Sequence, residues 1–212
     1  MNAIDLARQR AFPTVMVPSR EAISPLATDG ERLLVAANGV FQEVRRPWIR
    51  LIRRIASFDG VTPIPYGDVT EQTELRCGEV PASLLGEFAR MAAEAVPNET
   101  GAWIVWERIS GTYRLIALDA IHRSSARLEY RRPALNDSEV LVVDCHSHGS
   151  GHAYFSSTDD LDDRYDVKVA LVLGHCDRAE PEVAMRLCAK GIFEQANPPA
   201  SWLIAMNARA SS

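Results

Sequence analysis

The chain has 212 residues, 47% of them hydrophobic and 24% charged, enough to bury a core and typical of globular proteins. Its formal net charge of −5, from 23 basic and 28 acidic side chains, argues against a general binder of nucleic acid or of an anionic membrane, and no apolar run approaches the roughly 18 residues of a membrane span. Residues 1–10 mix charge with apolar side chains and lack the apolar core of a secretory signal, so a cytoplasmic setting is expected, with Cys77, Cys145, Cys176 and Cys188 as reduced, mostly buried thiols.

Residues 1–30 carry Pro13, Pro18, Pro25 and Asp29-Gly30 between short apolar pieces, which predicts an irregular or extended lead-in. Residues 33–37 and 40–44 flank Asn38-Gly39 and predict a β-hairpin. Trp48, Leu51, Ile52 and Ile55 then recur at helical spacing, so an amphipathic helix is favoured, with strand alternation tolerable. The accompanying cluster of Arg45, Arg46, Arg50, Arg53 and Arg54 lacks aromatic stacking partners and reads as a solvated face. Residues 62–79 read as a linker, which divides the chain into an accessory unit, 1–80, and a second unit, 81–212.

Residues 81–96 form the best helical pattern, with Leu84, Leu85, Phe88, Met91, Ala92 and Ala95 on one side and Pro97 beyond the end. Residues 102–109 and 112–118 predict a second hairpin about Ser110-Gly111, and 127–131 an edge strand. Strands are expected at 139–148, 167–174 and 182–188, with a short helix near 158–165 and a tail in which residues 202–206 pack back. Helix, hairpin and strands in this order make an α+β fold.

The chemistry gathers at residues 142–163. A buried strand alternates faces, so it delivers Asp144, His146 and His148 to one side. Ser156, Ser157 and Thr158 with Asp159 and Asp160 form a helix start, with hydroxyls to cap free N–H groups and carboxylates suited to the dipole. Two imidazoles and the Asp159 carboxylate make the three-ligand set that leaves zinc an open fourth position, as hydrolysis requires. His152 reads as a polar loop residue within reach of a substrate, Asp144 as a strand-end carboxylate or a group that orients a histidine, and Cys145 as pointing away.

The pattern His146, His148, Ser156, Asp159 resembles that of the JAMM (MPN+ or JAB) zinc metalloproteases, most closely in the text of residues 154–159. That resemblance implies a cytidine-deaminase-like JAB/MPN domain, a mixed β-sheet flanked by helices, preceded here by a small β-rich unit. It also implies Zn2+ on His146, His148 and Asp159, with Ser156 as donor to the oxyanion. An upstream glutamate that handles the proton of the attacking water falls on Glu99, in Pro97-Asn98-Glu99. The chain departs from the family at Ala102, where glycine is usual, and at Gly149, where proline is frequent; both positions bear on loop shape and substrate fit. His175-Cys176 suggests a second metal, yet the short stretch from Asp159 to Val167 leaves no room there for the zinc-binding insertion of some deubiquitinases.

Such enzymes cleave peptide or isopeptide bonds after the C-terminus of ubiquitin or a ubiquitin-like protein, so a ubiquitin-like substrate and an E1-like partner are implied. Residues 37–48 are similar to the PRTRC system protein A family of bacterial JAMM proteins, which implies a bacterial ubiquitin-like pathway. A non-catalytic MPN scaffold, or a zinc hydrolase of small peptides or carrier-linked substrates, are the alternatives.

Overall fold

The computed structural model describes residues 2–58, 60 and 63–208. The chain divides into two compact units, Met1–Gly78 and Glu79–Ser212. Thr62, the first residue of the expected linker, lies outside the described residues.

The N-terminal unit begins with a helix, α1 (Ala3–Ala11), whose N-cap Asn2 accepts from the Ile4 N–H. It continues with β1 (Thr14–Met16), β2 (Gly30–Ala36), β3 (Gly39–Arg45), β4 (Ile49–Ala56) and β5 (Gln72–Leu75), which form one sheet in that order. β1 runs parallel to β2 and the other pairs are antiparallel. Val17, Leu34, Ala36, Phe41, Ile52 and Val69 form its core. Residues 1–30 are therefore not an irregular lead-in throughout. The expected hairpin is present, but Ala36 pairs with Gly39, so the turn is Ala37-Asn38, one residue earlier than the glycine suggested.

The expected helix over Trp48–Ile55 is instead β4. Ile49 and Leu51 are buried beside β3, and Glu43 on that neighbouring strand favours the extended form. Its carboxylate is fully buried on β3 and takes Arg32 at 2.6 Å and Arg50 at 2.7 Å. A helix would remove Arg50 from that partner and strand a buried charge. The arginines thus work as cross-strand partners more than as a solvated face: Arg46 pairs with Glu31, and Arg53 donates to the Gln72 carbonyl at 2.6 Å. That last bond also helps hold β5, which occupies part of the segment read as linker.

The C-terminal unit has α2 (Ala82–Ala95), β6 (Gly101–Glu107), β7 (Thr112–Ala117), β8 (Asp119–Arg123), β9 (Leu128–Arg131), β10 (Glu139–Ser147), α3 (Ser157–Asp163), β11 (Val167–Gly174), β12 (Glu182–Ala189), β13 (Ile192–Gln195) and α4 (Ala200–Asn207). Six strands make a mixed sheet in the order β13-β12-β11-β10-β6-β7, and β8 pairs with β9 separately. Only β10 and β11 in the larger sheet are parallel, with α3 in the crossover between them. α2 buries Leu85, Phe88, Ala89 and Ala92, and α4 packs on it with Trp202 and Met206 buried. The fold is α+β with mixed sheets and, among the described residues, four helices; none is long and apolar enough to cross a membrane.

Candidate metal centre

β10 lies inside the sheet, and its alternation sorts the side chains. Cys145 is fully buried on one face, where burial pushes its thiol well above the usual range and leaves it unsuited to act as a nucleophile. Asp144, His146 and His148 emerge on the other face into a cleft of about 470 Å³ that Glu99, Ser156 and Asp159 also line. The donor atoms of His146, His148 and Asp159 all lie within 4.8 Å of one another.

Each donor has a free lone pair for a physical reason. His148 Nδ1 lies 2.9 Å from the His152 carbonyl, which can only accept, so Nδ1 carries the proton and Nε2 is bare. Burial favours the neutral form of His146. Asp159 sits at the third position of α3 in a capping box: the Ser156 N–H and hydroxyl both donate to its Oδ2 at 2.6 Å, and its own N–H donates to Ser156 Oγ at 3.2 Å. Oδ1 is left facing His146 Nε2 at 3.6 Å. Ligands held at about 2.0–2.1 Å on a tetrahedron stand about 3.3–3.4 Å apart, so the His146–Asp159 pair is close to the spacing of zinc ligands, and two imidazoles with one carboxylate are donors of the kind zinc takes. Ser156 thus serves first as the anchor of Asp159; its single proton is directed at Oδ2 rather than into the open cleft.

α3 is short and acidic, and two buried cations hold it. Lys168 Nζ contacts Asp163 Oδ1 at 2.7 Å and Asp144 Oδ2 at 2.6 Å. Arg186 grips Asp160 and, at 2.7 Å, Asp163, while Phe155 and Phe193 cover its guanidinium. Burial alone would lower the Lys168 pKa, but Asp144 and Asp163 outweigh it and raise it. Asp144, expected to orient a histidine or to end a strand, instead pairs with Lys168.

Glu99 reaches the cleft because its neighbour is clipped to β10. Ser147 N–H donates to the Thr100 carbonyl at 2.9 Å, and Thr100 N–H to Ser147 Oγ at 3.1 Å. The Glu99 N–H donates to the Ser124 carbonyl at 2.8 Å, at the tip of the β8–β9 pair. Burial raises the Glu99 pKa, His148 pulls it down and Asp159 adds to the rise. Gly149 has φ +55, and a Cβ there would run into the Pro97 carbonyl oxygen, so the loop before Glu99 passes where a proline could not follow His148.

The β8–β9 wall was read from sequence only as an edge strand at 127–131. It brings Arg127, Tyr130 and Arg132 to the cleft, and burial, with Asp144 adding, pushes the Tyr130 phenol up to about 12, so it remains a hydrogen donor. No spacing signal in the sequence links these residues to the histidines.

Residues 81–188 match the family described as prokaryotic homologs of the JAB domain. Residues 2–76 match a second family, described as a domain of unknown function, DUF2016. No match was found among curated proteins. Among solved structures, the chain is similar to the solution structure of protein DSY2949 from Desulfitobacterium hafniense, at 16% identity and a TM-score of 0.41, over 54% of this chain and 86% of that one. The JAB match spans just over half of the sequence, and the chain belongs to the family of prokaryotic JAB-domain homologs.

Proposed function

We propose that the C-terminal unit is a zinc-dependent hydrolase that cleaves a peptide or isopeptide bond after the C-terminus of a ubiquitin-like protein. The observation that carries this reading is the convergence of three lone-pair donors, on His146, His148 and Asp159, in one cleft with a carboxylate, Glu99, of raised pKa. Membership of the JAB family is compatible with a hydrolase or with a scaffold, and the donor set favours the former.

His146, His148 and Asp159 would hold the metal, which when bound supplies Lewis acidity to polarise a carbonyl and make water acidic near neutral pH. Glu99 takes the proton of the attacking water on its carboxylate and hands it to the leaving amine; its raised pKa suits both halves of that exchange. Ser156 keeps Asp159 aimed and, when its hydroxyl turns from Oδ2, donates to the oxygen that gathers negative charge. Tyr130 and Arg132 offer donors along the cleft wall for a substrate backbone.

The substrate and the E1-like partner belong to this reading, as does a place in a bacterial ubiquitin-like pathway of the PRTRC type. A cytoplasmic setting does too. The test is incubation of the wild-type chain and Glu99→Gln with a ubiquitin-like protein fused to a reporter, and with small amides. Wild type should cut the fusion, and Glu99→Gln should lose about 10²–10⁴ of that rate while keeping zinc. Equal rates would remove Glu99 from the chemistry. Cleavage of small amides alone would move the substrate to small peptides, and binding without cleavage by wild type would leave a scaffold.

A further inference from the structure

His152, His175 and Glu182 come from three separate places: the loop after β10, the end of β11 and the start of β12. Their donor atoms nevertheless meet. His152 Nδ1 lies 3.0 Å from Glu182 Oε2 and 3.2 Å from His175 Nε2, and His175 Nε2 lies 3.9 Å from Glu182 Oε2. The edges of this triangle bracket the spacing of about 3.3–3.4 Å that tetrahedral ligands at about 2.0–2.1 Å would show.

The groups are fixed as ligands would need to be. His175 Nδ1 lies 2.9 Å from the Ser150 carbonyl, an acceptor only, so the proton sits on Nδ1 and Nε2 presents its lone pair to the other two. Glu182 Oε2 also accepts from the Ala153 N–H at 2.9 Å, which pins the carboxylate. The His175 ring is 12% exposed, whereas His152 is 76% and Glu182 45% exposed, so the centre of the triangle opens to water on one side.

We propose that His152, His175 and Glu182 form a second site for a divalent cation of the zinc class, with its fourth position open to solvent. Two imidazoles and one carboxylate select such an ion over magnesium or calcium, which prefer all-oxygen shells. An ion there ties together the two strands and the loop of residues 149–155, and the His152 carbonyl in that loop is the acceptor that fixes His148 Nδ1. An ion on the triangle therefore steadies a histidine of the neighbouring cleft without touching it.

The test is metal stoichiometry, independent of any hydrolysis. The full chain is stripped with a chelator, dialysed to equilibrium against Zn2+ alone, and its metal content measured, with circular dichroism recorded for each variant. Wild type should take up about two ions per chain. Glu182→Gln, which keeps an acceptor for the Ala153 N–H, and His152→Gln should each take up about one, as should His146→Gln. In His146→Gln, addition of Zn2+ should still raise the melting temperature, and in His146→Gln combined with Glu182→Gln it should not. A single ion in wild type that is lost with His146→Gln would overturn the second site. So would a full complement retained by both Glu182→Gln and His152→Gln. A single ion lost with Glu182→Gln and kept in His146→Gln would support this site and sink the zinc reading of the neighbouring cleft.

Discussion

Ser156 and Asp159 are bound to each other three times over: hydroxyl and N–H of the serine on Oδ2, both at 2.6 Å, and the aspartate N–H on the serine oxygen at 3.2 Å. One oxygen of Asp159 is thereby spent on the helix cap and the other is aimed at His146. Ser156→Ala should lose about 1 kcal/mol of stability through the cap and about 10–100-fold in zinc affinity through the freed carboxylate. Chemical denaturation and competition with a chromophoric chelator measure the two effects separately. Unchanged zinc affinity would show that Ser156 does not position Asp159 as a ligand.

Gly149→Ala should cost about 1–2 kcal/mol for the positive φ. A further loss is expected because the new Cβ meets the Pro97 carbonyl and pushes the Glu99 loop from His148. Hydrolysis should fall more than zinc content does, since the displaced group is the carboxylate and not a donor. Thermal melts with metal analysis decide it, and a variant as stable and active as wild type would contradict the contact.

Lys168→Met should destabilise the chain by about 3–5 kcal/mol, because Asp144 and Asp163 lose a buried partner. The same change frees α3 from one of its two anchors, so zinc affinity should drop with stability. Urea unfolding of the pair Lys168→Met and Lys168→Met/Asp144→Asn should show partial recovery in the second, because Asp144 has lost its Lys168 partner whereas Asp163 keeps Arg186.

Asp163 has its pKa lowered: burial works against this, but Lys168 and Arg186 prevail. A depressed carboxylate contributes stability that is present above its unfolded pKa and fades as pH falls through the folded one. The wild-type chain should therefore lose stability progressively below about pH 4, where the unfolded carboxylate begins to bind protons first. Asp163→Asn should be less stable at neutral pH and show a shallower acid limb. Parallel acid limbs in the two proteins would assign the acid sensitivity elsewhere.

What the sequence made legible depended on how locally each feature is decided. β10 could be read because residues 140–143 are apolar and the polar residues that follow alternate, and α2 because Leu85, Phe88 and Ala92 repeat on one side. Trp48, Leu51, Ile52 and Ile55 satisfy a helical stripe as well as a strand, and the pairing of this segment with β3 and β5, Arg50 with Glu43 included, goes with the strand. α1 and β5 bury no residues of their own, so no hydrophobic period announces them. The donors His146, His148 and Asp159 lie close together in the chain and were readable as a set. His175 and Glu182 come to His152 only through the pairing of β11 with β12, so their meeting had no sequence signature.

The parallel step from β10 through α3 to β11 carries all three donors of the cleft, whereas Glu99 arrives from β6, on the antiparallel side of β10. On the proposed reading, holding an ion and using it thus fall to opposite neighbours of one strand. A lesion that loosens β6, such as one that breaks the Thr100–Ser147 clip, would produce a chain that still captures metal yet turns nothing over. Metal content is for that reason a poor surrogate for catalytic competence in this fold, and variants along β6 would separate the two.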